Sequence, residues 1–509
     1  MSASSRPDGV SLAATLVAAL TVLPLTVVAV QAASTGWSGA IDFLLRPRIG
    51  ELLGHTGALL LLTVPATVVL GTVAGWVVER TALPGAGVWR LLLLAPLAVP
   101  AFVSSYAWIS LRPSMTGLFG AVLVTTLAYF PFVFLPVCAM LRGLDAGDEE
   151  AARSLGSSPM VAVVRTVLPR LRPAISGGAL LVALHLLAEY GVLELMRYQT
   201  FTTAIVQQYA VGFSGAPGSL LALVLVGLCL LVLLGEVALR GHARVSRLGP
   251  GAHRRPEPVP LGRWQGPTVV GLGILVLLSL AVPVGMVARW LLAGAGSNGA
   301  GVLADDLVRV TGTTVGLATA GGLAAVAIAL PGAWLLNRRR TLVATLLERS
   351  TFLSSSVPGV VVGLALVTLS VNWLRPAYQS AGLLVLAYVI LFLPRAMVSL
   401  RAGLAASPPE LGEASRSLGL GGPATLVRVV LPLTMPSFLT GFVLVALAVS
   451  TELTATLLLA PTGTDTLALA FWGSTGQLDY AAAAPYAAVM IALSAPLTLL
   501  LRRQIVGRG

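Results

Sequence analysis

A chain of 509 residues in which 56% are hydrophobic and 10% charged does not have the composition of a soluble protein, and apolar runs of membrane-spanning length recur from end to end. Its formal net charge of +12 would point to nucleic acid in a soluble chain. Here all 32 basic residues are arginine, mostly in short loops between apolar runs, so the charge reads as orientation in a bilayer and nucleic acid is excluded as a partner.

Reading for uninterrupted apolar runs of about 20 residues predicts twelve helices, near 11–33, 57–78, 91–111, 117–141, 174–196, 219–240, 267–291, 311–337, 352–373, 381–400, 437–459 and 483–501. The first follows Arg6 and ends before Gln31-Ala32-Ala33-Ser34, as a secretion signal would. Its apolar stretch from Val10 to Val30 exceeds the roughly 7–15 residues of a signal core, which favours a retained span. Cys138 and Cys229 fall inside apolar runs without metal-ligand spacing and read as small buried hydrophobes. With a cytoplasmic N-terminus, the inside segments hold 25 arginines and the outside segments 7. The opposite orientation inverts that ratio, so both termini are expected to be cytoplasmic.

The stretch 241–266, rich in Arg, Pro and Gly, reads as a flexible cytoplasmic linker. It divides the chain into 1–240 and 267–509, with six predicted spans in each. Polar segments following spans four and ten repeat one another. The first runs Asp148-Glu149-Glu150-Ala151-Ala152-Arg153-Ser154-Leu155-Gly156 and ends in Leu168-Pro169; the second runs Glu413-Ala414-Ser415-Arg416-Ser417-Leu418-Gly419 and ends in Leu431-Pro432. Glu, the Arg-Ser-Leu tripeptide, Gly, Leu and Pro all recur at one offset of 263 residues (150 to 413, 156 to 419, 169 to 432). Six spans between the copies make the repeats parallel. Each copy is expected to form a short surface helix, a turn and a second short helix. Asp148 is a favourable N-cap type, and Glu149 and Glu150 place negative charge in the first turn. Ala151, Ala152 and Leu155 form an apolar stripe. Gly156 and Gly419 suit a left-handed helix end, and Pro169 and Pro432 are expected to mark a break before the next span.

Both segments resemble the EAA loop of ATP-binding-cassette (ABC) importer permeases, whose pattern is Glu-Ala-Ala, Gly four residues later, then Leu-Pro. The first copy carries Glu150, Ala151, Ala152, Gly156 and Pro169; the second carries Glu413, Ala414, Gly419 and Pro432, with Ser415 where the pattern has Ala. The resemblance implies coupling helices that dock two copies of an ABC ATPase subunit. It also implies an all-α polytopic fold of about 12 transmembrane helices as two parallel six-helix repeats, an extracytoplasmic solute-binding protein, and a place in the bacterial inner membrane. Ala188-Glu189-Tyr190-Gly191 through Thr200-Phe201-Thr202-Thr203, and Thr451-Glu452-Leu453-Thr454-Ala455-Thr456-Leu457-Leu458-Leu459 with Asp465-Thr466-Leu467, resemble ferric-iron-type permeases in particular. The implied cargo is ferric iron, with thiamine, polyamine and phosphonate-type solutes behind it.

Glu189 and Glu452 are also 263 residues apart and fall about 15 residues into their predicted spans, roughly 22 Å from the cytoplasmic start. Carboxylates within a membrane point to a polar pathway or gate; equally, both could reach the outer interface and fix helix depth. His185, one turn before Glu189, has Ala448 at its second-half equivalent, so a metal pair is disfavoured against a lone polar residue facing another helix. Trp76, Trp108, Trp264, Trp290, Trp373 and Trp472 lie near span ends and read as interfacial anchors.

A Walker-type phosphate loop needs lysine and this chain has none. The chain is therefore expected to be no enzyme and to bind no cofactor, with ATP and magnesium used by partner subunits. The competing class is a 12-span secondary transporter driven by an ion gradient, in which Glu189 and Glu452 would carry the coupling.

Overall fold

The computed structural model describes residues 9–211, 215–240, 257–294, 300–338, 342–405, 414–415, 417–425, 428–429 and 431–506. Of the expected linker, 241–256 lies outside the described residues, as do Glu413 and Arg416 of the second loop.

Among the described residues the chain is helical, with one isolated bridge pairing Thr81 and Val259. A bilayer core offers no water to backbone groups, so segments this apolar satisfy them internally as helices. Nine described helices are long and apolar enough to cross a membrane, or ten if Ala86–Ala98 and Ala101–Leu111, bent by 91°, form one span. The predicted runs 352–373 and 483–501 fall on the shorter apolar helices Gly359–Asn372 and Tyr480–Pro496. Proline explains both interruptions of predicted third spans. Val99 takes an extended conformation before Pro100, and Pro358 is itself extended at the start of Gly359–Asn372. Each proline lacks an N–H and disfavours the helical conformation in the residue before it.

The chain forms two compact units. One comprises 46–203, 227–296 and 490–509, and its centre is the packing of Pro47–Arg80, Pro131–Arg142 and Leu168–Ala188. Gly71 allows the closest approach: a Cβ there would lie 2.8 Å from the Phe130 carbonyl oxygen and the Phe134 nitrogen, so only a bare backbone lets the helices meet. Val282–Gly294 packs on Ala101–Leu111 in this unit. Trp108 is 7% exposed within its core and is thus no interfacial anchor, because its helix turns inward at the Pro100 bend. Trp264 and Trp373 are 61% and 59% exposed.

The other unit comprises 1–45, 204–226 and 297–489. Ala300–Arg338, Ala381–Ala405 and Leu431–Ser450 pack together, and Gly9–Ala33 lies against Leu342–Ser354, Gly359–Asn372 and Ala300–Arg338. Gly9–Ala33 groups with residues 297–489, and Gln265–Val276 with residues 46–203. Cys138 and Cys229 are buried free thiols, as their apolar surroundings predicted.

Candidate docking loops and the contacts that hold them

The first repeated loop is a helix, a turn and a second helix. Its opening helix, Gly147–Ser154, has Ala146 as N-cap, and Asp145 accepts the Gly147 N–H at 3.0 Å. The N-cap therefore lies two residues before the predicted Asp148, and Asp145 meets the helix start. The helix ends in a paired closure: the Ser157 N–H donates to the Ala152 carbonyl at 3.1 Å and the Gly156 N–H to that of Arg153 at 3.0 Å. This double bond pattern requires a left-handed residue between them, and Gly156 supplies it at φ 86°. The second copy closes alike, with the Leu420 N–H on the Ser415 carbonyl at 3.0 Å and Gly419 at φ 83°.

The two copies share an outward apolar residue. Leu155 is 87% exposed and Leu418 83%, each directly before its left-handed glycine. Glu150 and Ala151 are exposed and Ala152 is half-buried; Ala414 is exposed and Ser415 buried, its hydroxyl 2.9 Å from that of Thr425. The serine that replaces alanine is thereby satisfied inside the loop.

Pro169 does not break the chain. A turn of π-helix, Val163–Val167, runs directly into Leu168–Ala188, where Pro169 lies in the first turn. The wider π turn before it accommodates the ring and the missing N–H without ending the helix. Pro432 likewise lies in the first turn of Leu431–Ser450.

Charged contacts behind the first loop were not foreseen. Arg80, ending Pro47–Arg80, donates to Glu149 at 2.5 Å, with side chains only 7% and 19% exposed. Arg80 also lies over the Trp76 ring, 5.3 Å from its centroid. Its neighbour Glu79 accepts from both Arg90 and Arg142 at 2.8 Å. The Arg80 carbonyl accepts from the Val259 N–H, and Val259 accepts from Ala82, both at 2.9 Å. In the other unit Asn337 donates to the Leu404 carbonyl at 3.0 Å, and Arg401 pairs with Glu348 at 2.8 Å, both far more exposed. The available signal was a charged Glu79-Arg80 pair ending a long apolar run.

Glu189 and Glu452 do not sit within spans. Leu168–Ala188 stops just before Glu189, and Leu431–Ser450 stops two residues before Glu452. Each side chain instead caps the short helix that follows: Val192 N–H donates to Glu189 at 3.0 Å, and Ala455 N–H to Glu452 at 2.8 Å. A carboxylate taking the free N–H groups of a helix start competes successfully with continuing the helix. Tyr129 donates its hydroxyl to the other Glu189 oxygen. The Glu189 carbonyl accepts from Thr202 at 2.7 Å and that of Glu452 from Thr456 at 2.8 Å, whose hydroxyl is also 2.8 Å from that of Tyr388. His185 Nδ1 is 2.8 Å from the Leu181 carbonyl of its own helix, and its ring packs on Phe132 at 4.5 Å. Among the described residues no group of three His, Cys, Asp or Glu is placed to hold a metal ion.

The model of the family described as "Binding-protein-dependent transport system inner membrane component" matches two segments, residues 67–242 and 319–505. The Fe(3+)-transport system permease protein FbpB 2 of Haemophilus influenzae is 34% identical over 483 residues, 94% of this chain and 95% of that protein. The probable ABC transporter permease protein y4fN of Sinorhizobium fredii is 24% identical over 445 residues, 77% and 76% of the two chains. The sulfate transport system permease protein CysW of Escherichia coli is 26% identical over 190 residues, 34% of this chain and 65% of its own length.

Proposed function

The chain belongs to the binding-protein-dependent transport system inner membrane components, and from that premise we propose that it forms the translocation pathway of a ferric-iron importer with two ATPase-docking loops. It is the permease subunit of an ABC importer, which sets aside the ion-driven alternative. The observation that carries ferric iron is the 34% identity to an iron(III) permease across nearly the whole of both chains; the sulfate permease matches only a third of this one.

In the proposed architecture twelve spans form two parallel repeats, 1–240 and 267–509 joined by 241–266, with both termini cytoplasmic. The arginine excess on one side supports that orientation, and the two proline-interrupted helices support counting broken crossings as spans. The absence of lysine supports leaving ATP hydrolysis to two partner ATPase subunits, with no cofactor on this chain.

The docking residues are Glu150, Ala151, Ala152, Gly156 and Pro169 in the first loop and Glu413, Ala414, Ser415, Gly419 and Pro432 in the second. The matching left-handed closures and the exposed Leu155 and Leu418 support this assignment. A binding protein loaded with ferric ion docks outside, the ATPase subunits close on ATP, and the two loops carry that closure into the helices. Glu189 and Glu452 serve the gate by fixing where each fifth span stops and the short helix begins.

Reconstitution in proteoliposomes with purified ABC ATPase and solute-binding protein partners tests the reading. ATP-dependent uptake of radioactive ferric ion is expected. Uptake of sulfate but not iron would overturn the cargo, and uptake driven by an ion gradient without ATPase would overturn the importer assignment.

A further inference from the structure

The helix Pro47–Arg80 touches the first docking loop at one end and the segment after the first capped helix at the other. At its Arg80 end stands the nearly buried pair with Glu149 of the loop helix. One residue earlier, Glu79 holds Arg142, the last residue of the helix leading into the loop, and Arg90, in the middle of the next helix, Ala86–Leu94. Near its opposite end, His55 accepts the Tyr198 hydroxyl through its carbonyl at 2.9 Å. The His55 ring lies 5.1 Å from that of Tyr198, and its Nδ1 is 3.2 Å from the Gln199 carbonyl. Tyr198 follows the capped helix Gly191–Leu195, and Thr202, a little further on, bonds the Glu189 carbonyl. The helix is continuous across Pro65, so its 25 residues from His55 to Arg80 set these contacts about 37 Å apart.

We propose that Pro47–Arg80 is the lever that carries motion of the first docking loop to the capped helix, with Arg80–Glu149 as the positioning pair at its input. This rests on the docking reading above. A charged pair withdrawn from water holds one geometry, because separating it exposes each partner to a medium that solvates it poorly. The loop helix therefore cannot shift without drawing the Arg80 end with it. The second half repeats the far contact, since Thr314 of Ala300–Arg338 accepts the Leu467 N–H at 2.8 Å after the other capped helix. At the 263-residue offset Glu149 corresponds to Gly412, and among the described residues the near end of Ala300–Arg338 is held to the helix before the second loop by Asn337, which donates to the Leu404 carbonyl.

The test uses the full complex in proteoliposomes, with ferric-loaded binding protein as the stimulus of ATP hydrolysis. Glu149→Gln, Arg80→Gln, the double variant and Arg80→Lys are compared by ATPase capture on purification and by the stimulation ratio. Expected are normal capture in all, at least a fivefold loss of stimulation in each Gln variant, no further loss in the double variant, and recovery of at least half by Arg80→Lys. Non-additivity of this kind marks residues acting as one unit. Full stimulation in Glu149→Gln overturns the lever, as does a double variant in which the two losses multiply. If Arg80→Gln does not assemble, Glu149→Gln and Arg80→Lys still decide. Failure of the unaltered chain to capture an ATPase overturns the docking reading itself, which separates that failure from failure of the lever alone.

Discussion

The Ser157 backbone N–H meets the Ala152 carbonyl at 3.1 Å across the left-handed Gly156, and 263 residues later Leu420 meets Ser415 at 3.0 Å across Gly419. Nothing lies within 4 Å of where a Cβ would stand on either glycine. The constraint is therefore conformational, without a steric component. A β-branched residue at this φ costs about 1–2 kcal/mol, whereas asparagine tolerates it. Gly156→Val and Gly419→Val are expected to uncouple ATP hydrolysis from uptake, and Gly156→Asn to retain most of it. Equal behaviour of Val and Asn in the uptake assay would show that the left-handed turn is not what matters.

Leu155 and Leu418 stand out from the loops with little cover of their own. Burying a leucine in a partner is worth about 1.5–3 kcal/mol, or roughly 10- to 150-fold in affinity. Leu155→Asp and Leu418→Asp are each expected to weaken ATPase capture by at least tenfold, measured by titrating purified ATPase onto detergent-solubilised permease. Unchanged affinity in both variants would remove these leucines from the interface.

For Glu189 the capping geometry and a charge-bearing role predict different outcomes. Glutamine keeps an oxygen for the Val192 N–H, while alanine leaves that donor without it, a loss of about 0.5–2 kcal/mol for a cap. Glu189→Gln is expected to transport at no less than half the normal rate, and Glu189→Ala to lose both transport and thermal stability. Loss of transport in the glutamine variant with its melting temperature intact would show that the charge acts on the cargo directly.

Glu79 is 5% exposed and serves two arginines, whereas the Arg401–Glu348 pair is 42% and 55% exposed. Breaking a buried pair costs about 3–5 kcal/mol, and an exposed pair contributes about 0–1 kcal/mol. Glu79→Gln is therefore expected to lower the melting temperature clearly, and Arg401→Gln to leave it nearly unchanged. The reverse order by differential scanning fluorimetry would contradict this weighting by burial.

Much of this molecule was decided by its amino-acid sequence alone. Apolar runs locate helices because length and hydropathy are local properties, although the predicted runs 91–111, 174–196, 352–373 and 437–459 are each broken within. The duplicated loop, its register and its two left-handed glycines were legible for the same reason. Where the reading went astray, the deciding interaction was tertiary or lay at an element's end. Pro169 was expected as a break, yet a π turn runs into its helix without one. A helix start two residues earlier than predicted moved the N-cap from Asp148 to Ala146. Trp108 turned inward with a bend that hydropathy does not register.

Only the tertiary structure decided what Glu189 and Glu452 do. As letters within apolar runs they implied buried charge, but each ends its helix and receives the N–H groups of the next. Only the fold, again, could join Arg80 to Glu149 across 69 residues of sequence, or set His55 against Tyr198. Spacing along a chain reports which residues share a helix face. Which faces then meet depends on the path of every helix between them.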